Sequence, residues 1–251
     1  MKYLLFTFFA FALMFTSCSS GDDTTEPVED LGKVYEGSIT LKSPSEIIEF
    51  GSENYNTITG SLIIQDLPNQ EYIINLNGLN SIKTIKGNLS FINNTRLENI
   101  EGLSNLSSVY SIDIINNESL ESIEGLNGVT ELLGDFIIEN NYSLINLNGL
   151  QNLETVNYLR IEKCASLENI IHLESLTRLS DGIIFIYNHN IESLTGLNNL
   201  EFIGWAVFRN NDSLKDFCAL QNLQNIPSYF SVHNNAFNPT IQNIFDGFCS
   251  L

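Results

Sequence analysis

Aromatic and basic side chains recur at alternate positions in the C-terminal half of the chain, and they are the residues best suited to contacting a ligand. They are Tyr158, Arg160, Phe185, Tyr187, Trp205, Arg209, Tyr229 and His233. Flat rings stack on sugars or pack in protein interfaces, while Arg and His donate hydrogen bonds. In a chain with only 11 basic residues, this concentration predicts a ligand-binding face. The alternatives are that aromatic residues simply favour strands, or that a loop covers the face.

Catalytic patterns are not visible in the sequence. The three histidines, His172, His189 and His233, fall in different segments, and no Ser/His/Asp arrangement, metal-ligand spacing or phosphate loop accompanies them. We therefore expect a non-enzymatic protein with no metal or cofactor. A glycan-active enzyme that uses surface carboxylates is a remote alternative.

Paired asparagines mark an internal repeat from about residue 60 to residue 237. The pairs are Asn93-Asn94, Asn116-Asn117, Asn140-Asn141, Asn210-Asn211 and Asn234-Asn235, and Lys163-Cys164 and Asn188-His189 are interpreted as degenerate copies. Successive steps are then 23, 24, 23, 25, 22 and 24 residues. A fixed period in this range is typical of a solenoid, in which each repeat forms one coil.

Each repeat opens with alternating apolar residues, such as Leu89 and Phe91, which predicts a strand with one face inward. Applied to every repeat, this phase places Ile184 and Ile186 inward and Phe185 outward. Recurrent glycines, such as Gly125, interrupt the pattern at each corner. The sequence therefore predicts an all-β solenoid of about seven to eight rungs. The predicted structural column of buried turn residues contains Asn94, Asn117, Asn141, Asn211 and Asn235, with Cys164 and His189 at equivalent places.

Short helices are predicted to cap both ends of the solenoid. Ser43-Pro44-Ser45-Glu46 is a capping box that begins a helix through Phe50, and Asn238-Pro239 begins a second helix through about Phe245. Cys218 and Cys249 flank the second cap. Because an exported protein can oxidise them, we predict a disulfide that pins this cap to the last rung, with two free thiols as the alternative.

The N-terminus is typical of an exported protein. Lys2 is followed by an apolar run that is too short to span a bilayer. The run ends in Phe15-Thr16-Ser17-Cys18, which resembles the lipobox of bacterial lipoproteins and implies lipid attachment at Cys18. An ordinary cleaved signal is the alternative. Residues 18–30 are acidic and polar, which predicts a flexible tether.

The repeat resembles the receptor L-domain, a right-handed β-helix similar to leucine-rich repeats. The paired asparagines carry the resemblance together with corner motifs such as Ile123-Glu124-Gly125-Leu126. The C-terminus is also similar to that of Bacteroidota-type surface lipoproteins, through Asn238-Pro239-Thr240, Asp246-Gly247 and Cys249. The expected organisation is a signal peptide at 1–17, a tether at 18–30, an N-terminal cap at 31–59, the solenoid at 60–237 and a C-terminal cap at 238–251.

Composition narrows the expected partners. The formal net charge is −19, which argues against nucleic acid and against electrostatic docking on anionic lipid. Membrane association is therefore expected through the lipid alone. We expect a lipoprotein of the outer membrane, on the cell surface of a Gram-negative bacterium, that binds an extracellular protein or glycan in adhesion or nutrient capture. The main alternative is a structural or spacer subunit of an envelope complex.

Overall fold

The chain is mostly β and forms one large parallel sheet. A computed structural model describes residues 32–68, 71–225 and 227–251, so the predicted signal peptide and the whole tether, with Cys18, lie outside the described residues. The strands are β1 (Lys33–Tyr35), β2 (Ile39–Leu41), β3 (Tyr55–Ile58), β4 (Leu62–Gln65), β5 (Thr84–Ile92), β6 (Ser108–Ile115), β7 (Glu131–Glu139), β8 (Thr155–Glu162), β9 (Arg178–Ile186), β10 (Phe202–Arg209) and β11 (Tyr229–His233). The helices are α1 (Pro44–Ser52) and α2 (Ile241–Phe245).

Sheet order follows chain order. The main path is β1-β3-β5-β6-β7-β8-β9-β10-β11, while β2 pairs with β4 and β4 also pairs with β5. The shorter pairs β1–β2 and β3–β4 thus each occupy the place that one long strand takes in later repeats. Parallel pairing of consecutive repeats requires the chain to return to the same end of the sheet each time.

Inward side chains of successive strands stack into continuous apolar rows. Leu89 pairs with Ile112, which pairs with Phe136, and this residue pairs with Leu159. All four are buried, as are the equivalent residues of β9 and β10. Each fully buried aliphatic or aromatic side chain contributes roughly 1.5–3 kcal/mol to folding. The apolar alternation in the sequence therefore determines which face of the sheet forms the core.

The segments between strands are also joined from one repeat to the next. The backbone N–H of Glu121 donates to the carbonyl of Glu98, and that of Glu154 donates to the carbonyl of Thr130. Short 3-10 turns follow, at Glu101–Leu103, Glu124–Leu126, Ile171–Leu173 and Cys218–Asn222. Strands and connections thus both stack in register, which is compatible with a β-solenoid-like fold.

Glycine in the turns between strands is required by close approach of the neighbouring repeat. A Cβ on Gly125 would lie 2.0 Å from the carbonyl oxygen of Ile100, one repeat earlier. Gly149 and Gly196 meet the same contact and also have φ near +118°, at +119° and +117°. The left-handed backbone conformation therefore requires glycine only at Gly149 and Gly196, whereas close packing requires it at Gly125 as well.

One extra residue distinguishes alternate strands. Between two residues that both pair with the neighbouring strand, β5, β7 and β9 contain one residue more than β6, β8 and β10. For example, two residues separate Leu179 from Gly182 in β9, but only one separates their partners Val156 and Tyr158 in β8. Such an insertion is a β-bulge, which leaves one residue unpaired and bends the strand locally. The alternation explains why the repeat length changes between 23 and 24 residues.

Both ends of the described sheet carry a helix. Ser43 caps α1 by accepting a hydrogen bond from the N–H of Glu46, which confirms the predicted N-cap, and α1 continues two residues past Phe50. The predicted start of α2 was wrong: Thr240 is its cap and the helix begins at Ile241. The structure joins Cys218 to Cys249, as predicted. No helix within the described residues is long and apolar enough to cross a membrane.

Candidate ligand-binding face

Six of the eight residues predicted to contact a ligand lie on the outward surface of β8, β10 and β11. Strand pairing sets Tyr158 and Trp205 on either side of Gly182, and Tyr229 opposite Trp205. Arg209 lies opposite His233 in the same sheet. We call this surface the outer face, and its predicted members are Tyr158, Arg160, Trp205, Arg209, Tyr229 and His233.

Phe185 was wrongly assigned to this surface. It is fully buried, and it pairs with Ile161 of β8 and Phe208 of β10, both of which point into the core. The predicted inward residues Ile184 and Ile186 are instead the outward ones. The error came from treating Asn188-His189 as the degenerate pair, which shifted the strand by one residue.

The turn after β9 shows that the pair in this repeat is Tyr187-Asn188, not Asn188-His189 as predicted. Tyr187 follows the strand at φ +58°, the left-handed conformation of the first pair residue, and its side chain is 41% exposed. Asn188 is the buried second residue, while His189 is exposed and its Nδ1 lies 2.9 Å from Oδ2 of Asp212. With Tyr187-Asn188 as the pair, repeat lengths alternate regularly between 23 and 24 residues.

Trp205 lies across the neighbouring strand rather than projecting from the sheet. A Cβ on Gly182 of β9 would lie 2.4 Å from Cδ2 of the indole, so this glycine is what allows the ring to cover β9. The indole N–H donates to Oδ1 of Asp181 at 2.8 Å. The ring also approaches Tyr158 of β8, with 5.5 Å between centroids and 38° between planes. Two aromatic rings thus form a platform that spans three strands.

Polar groups surround this aromatic platform. Asp135 lies opposite Tyr158 and accepts a hydrogen bond from Nδ2 of Asn157 at 3.1 Å. Burial raises the pKa of Tyr158, and the nearby carboxylates of Asp135 and Asp181 act in the same direction. The Tyr158 phenol is therefore neutral at physiological pH and can both donate and accept hydrogen bonds.

A charged cluster lies further along β8. Nε of Arg160 donates to Oε2 of Glu162 at 3.0 Å, and its Nη2 lies 3.3 Å from Oε2 of Glu139. Burial alone would raise the pKa of Glu162, but hydrogen bonds from Arg160 and Lys163 outweigh this effect and hold it below its ordinary value. Glu162 is therefore ionised near neutral pH, and the cluster sets Arg160 and Lys163 against Glu139 and Glu162.

Arg209 organises the opposite side of the outer face. Its Nη2 donates to Oγ of Ser231 at 2.7 Å and to the phenol oxygen of Tyr229 at 3.1 Å. Tyr229 is the most exposed aromatic residue of the face, at 54%. The guanidinium thus fixes an exposed ring beside the platform, where it can contact a ligand.

The asparagine column beneath the turns is structural. The backbone N–H of Asn94 donates to Oδ1 of Asn117, and Nδ2 of Asn117 donates to the carbonyl of Phe91. Asn141, Asn188, Asn211 and Asn235 likewise donate to a strand carbonyl of an earlier repeat. Asn238 ends the column by accepting the N–H of Asn235. Cys164 takes one place in it, and burial raises its pKa to about 12.

Sequence reasoning missed Asp181 and Gly182, although both were visible. A glycine at the end of a bulge, opposite the lone tryptophan, is the signal that the ring lies flat. The same device recurs where Tyr110 of β6 covers Gly134 of β7. The described residues contain no cluster of three or more His, Cys, Asp or Glu that could hold a metal ion.

No family model matches this chain, and no curated protein sequence matches it either.

Proposed function

We propose that this chain is a non-enzymatic surface lipoprotein whose outer face binds an extracellular glycan or protein. The observation that carries the proposal is the platform of Trp205 and Tyr158. An indole laid flat over a glycine, with its N–H already bonded to Asp181, leaves the other ring face for a ligand. Fixed aromatic rings with polar groups at their edges suit both sugar stacking and protein hot spots.

The fold we propose is a right-handed β-solenoid of the receptor L-domain type. The parallel register of nine successive strands supports it, as do the hydrogen bonds between connecting segments of neighbouring repeats. A solenoid presents one continuous sheet surface, and such surfaces commonly bind extended ligands.

The chemistry of the platform limits its ligand. Asp135 and Asp181 are carboxylates that accept hydrogen bonds, and the charges of Arg160 are already matched by Glu139 and Glu162. A ligand with many hydroxyl groups, or with positive charges, can pair with these acceptors. An acidic polysaccharide would meet repulsion instead.

Binding is best tested through the single tryptophan. Purified residues 31–251 are titrated with arrays of neutral, amino and acidic glycans and with extracellular proteins, and Trp205 emission is followed. We expect a neutral or basic ligand to protect Trp205 from iodide quenching. The variants are compared by isothermal titration calorimetry, because Trp205→Ala has no tryptophan emission. Trp205→Ala and Tyr158→Ala should each weaken binding by at least tenfold, while Tyr110→Ala, the matched ring over Gly134, should leave it unchanged.

Loss of binding in Tyr110→Ala to the same extent, or no effect of Trp205→Ala on any partner found, would contradict the assignment. Purification only as a fixed complex, with the outer face covered, would instead indicate the spacer role.

The anchor is tested separately from ligand binding. The proposal places a lipid on Cys18, at the end of the apolar run that closes with Phe15-Thr16-Ser17. Cells given a labelled fatty acid should incorporate it into the full chain but not into Cys18→Ala. Protease treatment of intact cells should remove the protein if it is displayed outside. Labelling of Cys18→Ala would reject the anchor without affecting the binding proposal.

A further inference from the structure

A second aromatic site lies on the turns that follow β7, β8 and β9, beyond the end of the outer face. It is a cleft of about 280 Å³ lined by Tyr142, Lys163, Ala165, Tyr187 and His189. We call it the turn cleft. Three successive repeats contribute to it, and none of its members belongs to the platform of Trp205 and Tyr158.

The cleft exists because a small residue stands between two rings. Tyr142, Ala165 and His189 occupy the same position, directly after the buried column residue, in three successive repeats. Neighbouring rows of a sheet lie roughly 4.8 Å apart, so the two flanking rows are separated by about 10 Å. That gap accommodates one ring in van der Waals contact on both faces, at about 3.5–4 Å on each side.

The residue types at the turns beneath the cleft differ from those at the other turns, although the backbone conformation is the same. Seven pair positions have a left-handed φ, and five of them are asparagine, the residue besides glycine that adopts it most readily. The two exceptions are Lys163 at +54° and Tyr187 at +58°, and both line the cleft. A non-Gly residue in this conformation costs roughly 1–2 kcal/mol, and such costs concentrate at functional sites.

The exceptions also interrupt a hydrogen-bonded ladder. Asn116 donates to Asn93 and Asn140 donates to Asn116, each at 2.8 Å, and Asn234 donates to Asn210 at 3.0 Å. Lys163 and Tyr187 replace the ladder in the two repeats between these segments. The two repeats that contain Lys163 and Tyr187 therefore lack the stabilising side-chain hydrogen bonds that the asparagines make elsewhere.

Charges around the cleft are already compensated. Nζ of Lys163 lies 3.0 Å from Oε1 of Glu162 and 4.0 Å from Oε1 of Glu139. His189 faces Asp212. An anionic ligand would have to compete with these carboxylates, whereas a hydroxyl group can accept from Lys163 and donate to a carboxylate at the same time.

We propose that the turn cleft binds one neutral pyranose ring, such as the terminal hexose of a glycan. The ring lies against Ala165 between the side chains of Tyr142 and His189, and its hydroxyl groups exchange hydrogen bonds with Lys163 and the phenol of Tyr187. The site goes beyond the proposed function, because it does not require Trp205 and would bind sugar even if the outer face bound a protein.

The test uses simple methyl glycosides of glucose, galactose, mannose and N-acetylglucosamine as probes. Saturation-transfer NMR on residues 31–251 should show transfer to the ring protons of at least one glycoside. Ala165→Phe fills the cleft and Tyr142→Ala removes one wall, and each should reduce the signal at least fivefold. Thr95→Phe, at the same position of a repeat three rows away, is the matched control and should retain it, as should Trp205→Ala.

Three outcomes would overturn the proposal: no transfer to any of the four glycosides, an unchanged signal in Ala165→Phe, or tighter binding of glucose 6-phosphate or glucuronic acid than of the neutral glycosides. Loss of the signal in Trp205→Ala but not in Ala165→Phe would indicate that the sugar binds at the outer face instead of the turn cleft.

Discussion

At the scale of single residues, the buried asparagines link the repeats more specifically than the apolar core does. Apolar contacts tolerate exchange of one aliphatic side chain for another, whereas an amide beneath a turn must meet a donor and an acceptor at once. Asn117 does both, because its Oδ1 accepts from Asn94 and its Nδ2 donates to Phe91. Register between neighbouring repeats is therefore encoded in one side chain per repeat.

Asn117→Ala should lower the free energy of unfolding by roughly 2–4 kcal/mol. The substitution leaves the N–H of Asn94 and the carbonyl of Phe91 buried without partners, and each such group costs about 1–3 kcal/mol. Urea denaturation followed by circular dichroism measures the change. Asn105→Ala, which removes one exposed hydrogen bond to Asn80, is the control and should cost less than about 1 kcal/mol. Equal losses in the two variants would contradict the structural role.

The thiol of Cys164 should be inert in the folded chain. Burial raises its pKa to about 12 from an ordinary value of 9.0, so the folded state disfavours the thiolate. It should therefore react with an alkylating reagent at pH 8 only after denaturant is added. The unfolded chain releases this proton at lower pH than the folded chain does, so the free energy of unfolding should fall as pH rises from about 9 towards 12. In Cys164→Ala this decrease should be smaller.

Gly182→Ala should displace the indole of Trp205 and shift the adjoining backbone of β10. The new Cβ would lie 2.4 Å from the ring and 2.6 Å from the carbonyl oxygen of Trp205, so the ring must leave β9 and lose its hydrogen bond to Asp181. Because the chain has one tryptophan, its emission reports the change directly: we expect a red shift and stronger iodide quenching. Gly134→Ala creates the matching clash with Tyr110 and should leave Trp205 emission unaltered. Unchanged emission in Gly182→Ala would mean that the indole does not lie over β9.

At the scale of secondary-structure elements, the C-terminal segment is held to the last repeats by several kinds of contact. The N–H of Phe217 donates to the carbonyl of Cys249, and Asp216 forms an antiparallel bridge with Ser250. Ile244 of α2 is buried against the core. The disulfide between Cys218 and Cys249 closes this cap, which covers apolar residues that would otherwise be exposed at the end of the sheet.

Replacing both cysteines, as Cys218→Ser with Cys249→Ser, should lower the free energy of unfolding by roughly 3–4 kcal/mol, the loop-closure entropy expected for a separation of 31 residues. Urea denaturation with and without reductant provides the measurement. Reductant should destabilise the natural chain and have no further effect on the double variant. Equal sensitivity of both proteins to reductant would indicate that the bond is absent in solution.

Strand assignments were correct wherever the asparagine pair was intact, and also in β8, where Lys163-Cys164 replaces the pair and Leu159 and Ile161 face inward. They were wrong in β9. In β6, Ile112 and Ile114 were correctly placed inward from the pair that follows them. In β9 the pair is Tyr187-Asn188, and every residue of its strand is apolar from Ile183 to Ile186. In such a run, alternation of apolar and polar residues cannot show which side chains face inward. Assigning Asn188 to the first position of the pair therefore reversed the predicted faces of the strand.

The candidate sites could be predicted only in part, because the sequence shows which side chains face outward but not how they lie. Tyr158 and Trp205 were assigned to one face, and the structure adds that the indole covers Gly182. The turn cleft was not predicted. It depends on a small residue, Ala165, and a pattern search for reactive or aromatic side chains passes over such a residue.

At the scale of the whole molecule, acidic residues outnumber basic ones by 30 to 11. Near the outer face, Arg160 and Lys163 are matched by carboxylates, while Arg209 donates to the hydroxyl groups of Ser231 and Tyr229. Arg160 and Lys163 pair with Glu162 and Glu139 rather than forming a positive patch. The electrostatic field around the protein is therefore negative, and this repels polyanions at long range.

Neither DNA nor heparin should bind measurably at about 150 mM salt, where the Debye length is roughly 8 Å, because the formal net charge of −19 repels both polyanions. Fluorescence anisotropy of labelled DNA and retention on immobilised heparin test this expectation. Saturable binding of either polymer that weakens steeply with salt would show that a basic surface has been overlooked.

From β5 to β10, the alternation of bulged and unbulged strands makes the structural period two repeats, not one. Both aromatic rings that lie over a bulge glycine come from unbulged strands of this segment. The N-terminal repeats do not alternate, because Tyr35–Ile39, Ile58–Leu62 and Ile85–Leu89 have the same spacing and lie side by side. Duplication of one repeat therefore preserves the strand pairing at the N-terminal end, whereas from β5 onward only duplication of a pair does so.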